Sequence, residues 1–165
     1  MSGSHIIFSY GTLKQGERNE YVMKDPNNGT ATFVGRGCTA KKYPLVVASQ
    51  YGIPFLLLLE GQGSQVLGEV YEVDDSMLAF LDAFESHPDF YRREVATVLM
   101  TQDKNGEKLD PPQTKECWIY FLPKYKPEML ELQFLENYTS ESKDHVPYDE
   151  RYKRKEEARV TALPD

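Results

Sequence analysis

The sequence predicts a mixed α+β fold, about seven short strands with short flanking helices around a single core. Three observations carry this. β-Branched and aromatic runs recur along the chain, clusters of Gly, Pro and Asn separate them, and only one stretch keeps a clear helical period. At 165 residues the chain has the length of one domain. We place that domain at residues 1–152 and a charged tail at 153–165.

The first strand is Ile6-Ile7-Phe8, running through Ser9-Tyr10 into Gly11. Further strands are expected at Phe33 to Thr39, Leu45 to Ala48, Phe55 to Leu59, Val66 to Val73, Tyr91 to Met100 and Cys117 to Leu122. Turn chemistry divides them at Pro26-Asn27-Asn28-Gly29, Gly61-Gln62-Gly63-Ser64, Asn105-Gly106 and Pro111-Pro112. The clear helix begins at Asp74-Asp75-Ser76, which supply N-cap candidates and an acidic first turn. Met77, Leu78, Phe80, Leu81 and Phe84 follow at helical spacing, and Pro88 stops it. Weaker helices are expected from Arg18 to Lys24 and after Pro127 as far as Leu135. From Asn137 the apolar residues thin out. Tyr138, Tyr148 and Tyr152 are candidate anchors, and the stretch from Lys153 reads as disordered.

Composition narrows the function classes. A net charge of −7 gives no attraction to nucleic acid or anionic lipid. The longest aliphatic run, Phe55 to Leu59, is far too short to span a bilayer. Met1-Ser-Gly-Ser-His lacks the basic start of a signal peptide. Cys38 and Cys117 read as reduced core thiols rather than a disulfide. The expectation is a cytoplasmic, single-domain protein, its oligomeric state open with a monomer favoured.

Two features bear chemistry. Around the helix axis Glu85 lies about 20° from Leu78 and about 40° from Leu81, inside the apolar stripe. A carboxylate facing a core has its charged form disfavoured by desolvation, which suits a general acid–base near neutral pH. Position alone favours, by a small margin, a glutamate that reaches solvent from a fraying last turn. The second feature is Tyr10-Gly11-Thr12-Leu13 after the first strand, where a glycine lets consecutive amides converge on an anion or carbonyl oxygen. An ordinary strand-to-loop turn has the same sequence. His5, His87 and His145 show no metal-ligand spacing, and Gly35 and Gly37 match no dinucleotide loop. Cys117, inside Cys-Trp-Ile-Tyr-Phe, reads as packing.

As an ordered set these residues resemble the γ-glutamyl cyclotransferase-like superfamily. The stretch Phe8 to Asn19 looks like its N-terminal signature. Tyr43 to Ala48, Ile53 to Leu57, Gly68 to Asp74, Leu81 to Glu85 and Tyr91-Arg92-Arg93 follow in the family's order, to about residue 152. The resemblance is nearest to the branch that acts on γ-glutamylamines. Ser9 departs from it, standing where the signature more often has valine. The resemblance implies a small β-barrel with flanking helices and a cofactor- and metal-free ring closure that gives 5-oxoproline and a free amine. It implies Glu85 as the catalytic acid–base, with the loop Tyr10, Gly11, Thr12 and Leu13 holding substrate. Leu13, Pro44 and Tyr91 would form the apolar rim. The same chemistry on γ-glutamyl amino acids or glutathione, or a non-catalytic ligand-binding module of this fold, remain open alternatives.

Overall fold

Five of the seven strands close a barrel in the order β1-β5-β2-β6-β7. A computed structural model describes residues 4–48 and 52–139. The expected domain end at residue 152, the anchors Tyr148 and Tyr152 and the tail lie outside the described residues. The strands are β1 (Ser4–Ser9), β2 (Ala31–Thr39), β3 (Leu45–Ala48), β4 (Ile53–Leu56), β5 (Leu67–Asp74), β6 (Arg92–Asp103) and β7 (Lys108–Phe121). Neighbours pair antiparallel except at the closure, where β7 meets β1 in parallel at Ile7 and Trp118. β3 and β4 stand apart as an antiparallel pair, with Leu45 opposite Leu56 and Ala48 opposite Ile53.

Period-2 alternation divides the apolar residues between two cores. Phe8, Val70, Val98, Met100, Cys117, Ile119 and Phe121 belong to one cluster, joined by the partly buried Val34. It draws on all five barrel strands and so fills the interior. Their neighbours in sequence, Ile7, Tyr71, Val73 and Tyr120, point the other way and join Met77, Leu78 and Leu81 of the helix α2 (Asp75–Phe84). Each such side chain contributes about 1.5–3 kcal/mol on burial, enough to fix this helix against β5 and β1.

α2 starts where the sequence places its cap. The Asp74 carboxylate accepts from the Met77 N–H at 2.9 Å and from the Thr30 N–H at 3.1 Å, and these bonds hold it below the usual carboxylate range. The weaker early helix is the short α1 (Glu20–Lys24). The helix expected after Pro127 is only a 3-10 turn, Pro127–Glu131, followed at once by extended backbone at Leu132. Tyr138 is fully buried in the barrel-side core, and the Lys14 amine donates to its carbonyl at 2.7 Å.

Three expectations need correction. The barrel holds five strands rather than about seven, because the short β3 and β4 pair only with each other. The fourth strand spans Ile53–Leu56, and Leu57 makes only an isolated bridge to Leu122. Pro111-Pro112 does not divide two elements but lies inside β7. Both prolines fall in the irregular stretch between the paired residues Lys108 and Gln113, beside a register shift, where no ladder N–H is required.

Candidate active site

β1 ends at Ser9 and its chain turns through Tyr10 to Leu13 along the wall of a cavity. Ile7 to Leu13, Asn19, Ile53, Pro54, Phe84, Glu85, Phe90, Tyr91 and Tyr120 line it. It encloses about 650 Å³, its open mouth included. The walls are mostly aromatic and apolar, and Glu85 is the one charged residue among them. Such a pocket isolates a few polar groups from water and strengthens their interactions.

The loop is braced on both sides. The Tyr10 hydroxyl donates to the Tyr120 carbonyl at 2.6 Å, tying the loop's start to β7. At its far end the Asn19 side chain donates to Thr12 Oγ1, and the Asn19 N–H donates to the Thr12 carbonyl, both at 2.9 Å. A Cβ added at Gly11 would meet Pro54 Cγ at 3.1 Å, so this position is narrow. Among the described residues, the loop's recorded backbone hydrogen bonds use carbonyls of Gly11 and Thr12 but no N–H of Gly11, Thr12 or Leu13. Consecutive N–H groups without a backbone partner are the kind of donor set that can bind a ligand's anionic or carbonyl oxygen.

Glu85 is the C-cap residue that follows the last residue of α2, and it is half-buried. The helix end is not frayed. The Ser86 N–H donates to the Ala83 carbonyl and the His87 N–H to the Asp82 carbonyl, with Ser86 in the left-handed region at φ 56. This is a Schellman closure with serine where glycine is usual. It fixes the backbone of Glu85 and leaves its side chain in line with Leu78 and Leu81, as the helical period requires.

Behind the cavity wall lies a second polar cluster. Asp82 accepts from Arg93 Nε at 2.8 Å and from a terminal Arg93 nitrogen at 3.1 Å, and from the Tyr120 hydroxyl at 2.7 Å. Burial raises the Asp82 carboxyl, but the Arg93 and Tyr120 hydrogen bonds outweigh it and hold the group below the usual carboxylate range. The Arg93 guanidinium lies 4.3 Å from the Trp118 ring centre, and the Arg93 N–H donates to His87 Nδ1 at 3.1 Å. Asp82 is thus occupied.

A model of the family described as Gamma-glutamyl cyclotransferase, AIG2-like, matches residues 7–140. The chain belongs to that family. It is 44% identical to the gamma-glutamylaminecyclotransferase of Mus musculus over 148 residues, covering 90% of this chain and 98% of the relative. The human protein of that name is 41% identical over 151 residues, covering 90% and 99%. A 1.90 Å crystal structure of an AIG2-like protein from Mus musculus superposes with a TM-score of 0.84 at 42% identity, covering 92% of this chain and 99% of that one. The barrel with flanking helices that the resemblance implied is the fold of this γ-glutamyl cyclotransferase family member.

The structure brings Tyr10, Gly11, Thr12, Leu13, Glu85 and Tyr91 to one cavity. It does not bring Pro44. That residue is buried just before β3, its carbonyl accepting from the Leu57 N–H at 2.9 Å, and the proline at the cavity is Pro54. Tyr91 is anchored by its hydroxyl, which donates to the Pro54 carbonyl at 2.9 Å. Sequence reasoning missed Asn19, Ile53, Phe84, Phe90 and Tyr120. A proline inside the short run Ile53-Pro54-Phe55 marked a strand edge and was the one available signal. Tyr120 gave none, because its place depends on strand pairing. Burial pushes the Cys117 thiol up to about 12, consistent with an inert packing residue. Among the described residues no cluster of His, Cys, Asp and Glu is suited to a metal ion, and no helix is long and apolar enough to cross a membrane.

Proposed function

We propose that the protein is a cytoplasmic γ-glutamylamine cyclotransferase that converts γ-glutamyl-ε-lysine to 5-oxoproline and lysine. The observation that carries this reading is one aromatic-walled cavity lined both by Glu85, its single charged residue, and by the loop Tyr10 to Leu13, whose amides of residues 11 to 13 make no backbone hydrogen bond among the described residues. The named activity of relatives that align over nine-tenths of the chain supports it.

The substrate's own α-amine is the nucleophile. Nucleophile and carbonyl share one molecule, so closing a five-membered ring has a high effective molarity and the protein has little to add beyond holding the chain curled. Glu85 takes a proton from the α-ammonium. The freed nitrogen bonds to the γ-carbonyl carbon, and the carbonyl oxygen gains negative charge beside the amides of Gly11, Thr12 and Leu13. As the bond to the lysine ε-nitrogen breaks, Glu85 returns its proton to that leaving nitrogen. The ring nitrogen's second proton follows through Glu85 to the released amine, so the products are the neutral lactam and the lysine ammonium, and protons balance. Leu13, Phe90 and Tyr91 supply apolar walls that exclude water, which would otherwise hydrolyse the same bond.

Purified protein incubated with γ-glutamyl-ε-lysine should release 5-oxoproline and lysine in equal amounts. A parallel incubation with γ-glutamyl-alanine tests the other branch of the chemistry. Product from the alanine compound alone would move the substrate to γ-glutamyl amino acids, and product from neither would sink the reading.

A further inference from the structure

The Asp82–Arg93–Tyr120 cluster adjoins the cavity, yet the ring closure described above makes no use of it. Its hydrogen bonds permit only one arrangement of protons. Asp82 is held ionised between two Arg93 nitrogens and the Tyr120 hydroxyl, so it can only accept. Arg93 can only donate. The proton on Tyr120 Oη must therefore point at Asp82; Arg93, also hydrogen-bonded to Tyr120, engages one lone pair of that oxygen, and the other is what it has left for the cavity. Tyr10 is similarly committed, its proton going to the Tyr120 carbonyl. Burial is the main reason that both phenols are raised far above their usual range; the hydrogen bond to Asp82 raises Tyr120 further, and the charge of Glu85, which lines the same cavity, adds to both. Neither phenol can serve as a base at neutral pH.

We infer that Tyr120 binds the substrate's α-amine, its hydroxyl oxygen accepting an N–H while Glu85 takes the proton, and that Asp82 and Arg93 are positioning residues that keep this oxygen turned toward the amine. A nucleophilic amine must aim its lone pair at the carbonyl, and two fixed acceptors on its N–H bonds determine that direction. One carboxylate alone leaves the nitrogen free to rotate. The cavity is then divided by polarity, with donors on the loop for the substrate's oxygens and acceptors on Glu85 and Tyr120 for its nitrogen. His87 completes the support from behind, accepting the Arg93 N–H and packing edgewise on the Tyr120 ring at 6.4 Å.

The inference rests on the proposed cyclotransferase activity, and the experiment separates the two. The rate of 5-oxoproline release from γ-glutamyl-ε-lysine is measured for the wild type, Tyr120→Phe, Asp82→Asn and the double variant, with melting curves for each. The inhibition constant of N-ε-glutaryl-lysine, which has the same skeleton without the α-amine, is measured beside them. Tyr120→Phe should lower kcat roughly 10- to 100-fold, the size of one hydrogen bond to a charged or developing-charge group. KM and the inhibition constant of the deamino analogue should move less than about threefold. Asp82→Asn should lower kcat in the same direction, because an amide can present N–H to Tyr120 and turn the hydroxyl proton into the cavity. The double variant should be no slower than the slower single variant, since both act on one hydrogen bond. An active wild type with Tyr120→Phe above half its kcat would overturn the inference alone. So would a deamino analogue that weakens as much as kcat/KM, or effects that multiply in the double variant. A wild type that forms no 5-oxoproline would overturn the inference together with the reading beneath it.

Discussion

Replacing Glu85 with glutamine tests the site most directly. The side chain keeps its shape and loses only the ability to carry a proton. General acid–base catalysis supplies roughly 10²- to 10⁴-fold, or about 2.7–5.4 kcal/mol at 1.36 kcal/mol per decade. No neighbour is placed to substitute. Asp82, the nearest other carboxylate on α2, is held ionised by Arg93 and Tyr120, and both cavity phenols are raised beyond useful basicity. Stability should move the other way. Glu85 caps the C-terminal end of α2, where its charge faces the negative end of the helix dipole. Removing that charge should stabilise the fold by about 0.3–1 kcal/mol, a rise in Tm of about 1–4 °C. The assays are 5-oxoproline release and a thermal melt on the same preparation. The acid limb of kcat/KM, set by a carboxylate that must be ionised to accept a proton, should vanish from the residual activity. A variant with more than a tenth of the wild-type kcat would place the proton transfer elsewhere, and a fall in Tm would show that the carboxylate holds the helix end together.

Gly11→Val presses a branched side chain against Pro54 and into the loop's donor face, so substrate affinity should fall at least tenfold while Tm drops by only a few degrees; a large Tm loss with unchanged affinity would make Gly11 a purely structural residue. Asp82→Asn should cost about 1–2 kcal/mol at pH 7, a figure reduced for a side chain 23% exposed. Because the folded carboxyl is held below its unfolded value, the stability it confers is present above about pH 4 and is lost as pH falls through the folded value. Denaturant titrations of the two proteins should accordingly converge in acid, and a gap that widened there would contradict the ion pair. Truncation after Tyr152 should leave kcat/KM within a few-fold, and a collapse would require the tail to take part in the site.

The parts of the site that were legible in the sequence are those fixed by local geometry. A helical period depends on residues three and four apart, so Met77, Leu78 and Leu81 located the stripe and placed Glu85 in it. The strand end and glycine at Ser9-Tyr10-Gly11 were legible for the same reason. Tyr120 and the place of Pro54, which lines the cavity where Pro44 was expected, were not, because they depend on pairings between distant segments. Tyr120 reaches the cavity only because β7 closes onto β1, with Ile7 beside Trp118. Pro54 enters it from β4, whose only strand partner is β3. The prolines at 111 and 112 misled because turn chemistry is also bulge chemistry, and only the register of β6 and β7 tells them apart.

The length of α2 is what unites the local and distant parts. β5 runs antiparallel to β1, so it ends at Asp74 opposite Ser4, at the far end of the barrel from the Tyr10 loop. The chain must travel back along β1 to bring a side chain to that loop. From Ser4 to Ser9 the strand rises about 17 Å at 3.3 Å per residue. The ten residues of α2 rise about 15 Å at 1.5 Å each. The helix therefore ends level with the end of β1, and the next residue is Glu85. β7 arrives at the same rim because it pairs with β1 in parallel, which sets Tyr120 beside Tyr10. Three segments far apart in sequence thus end at one height, and the cavity lies where they meet.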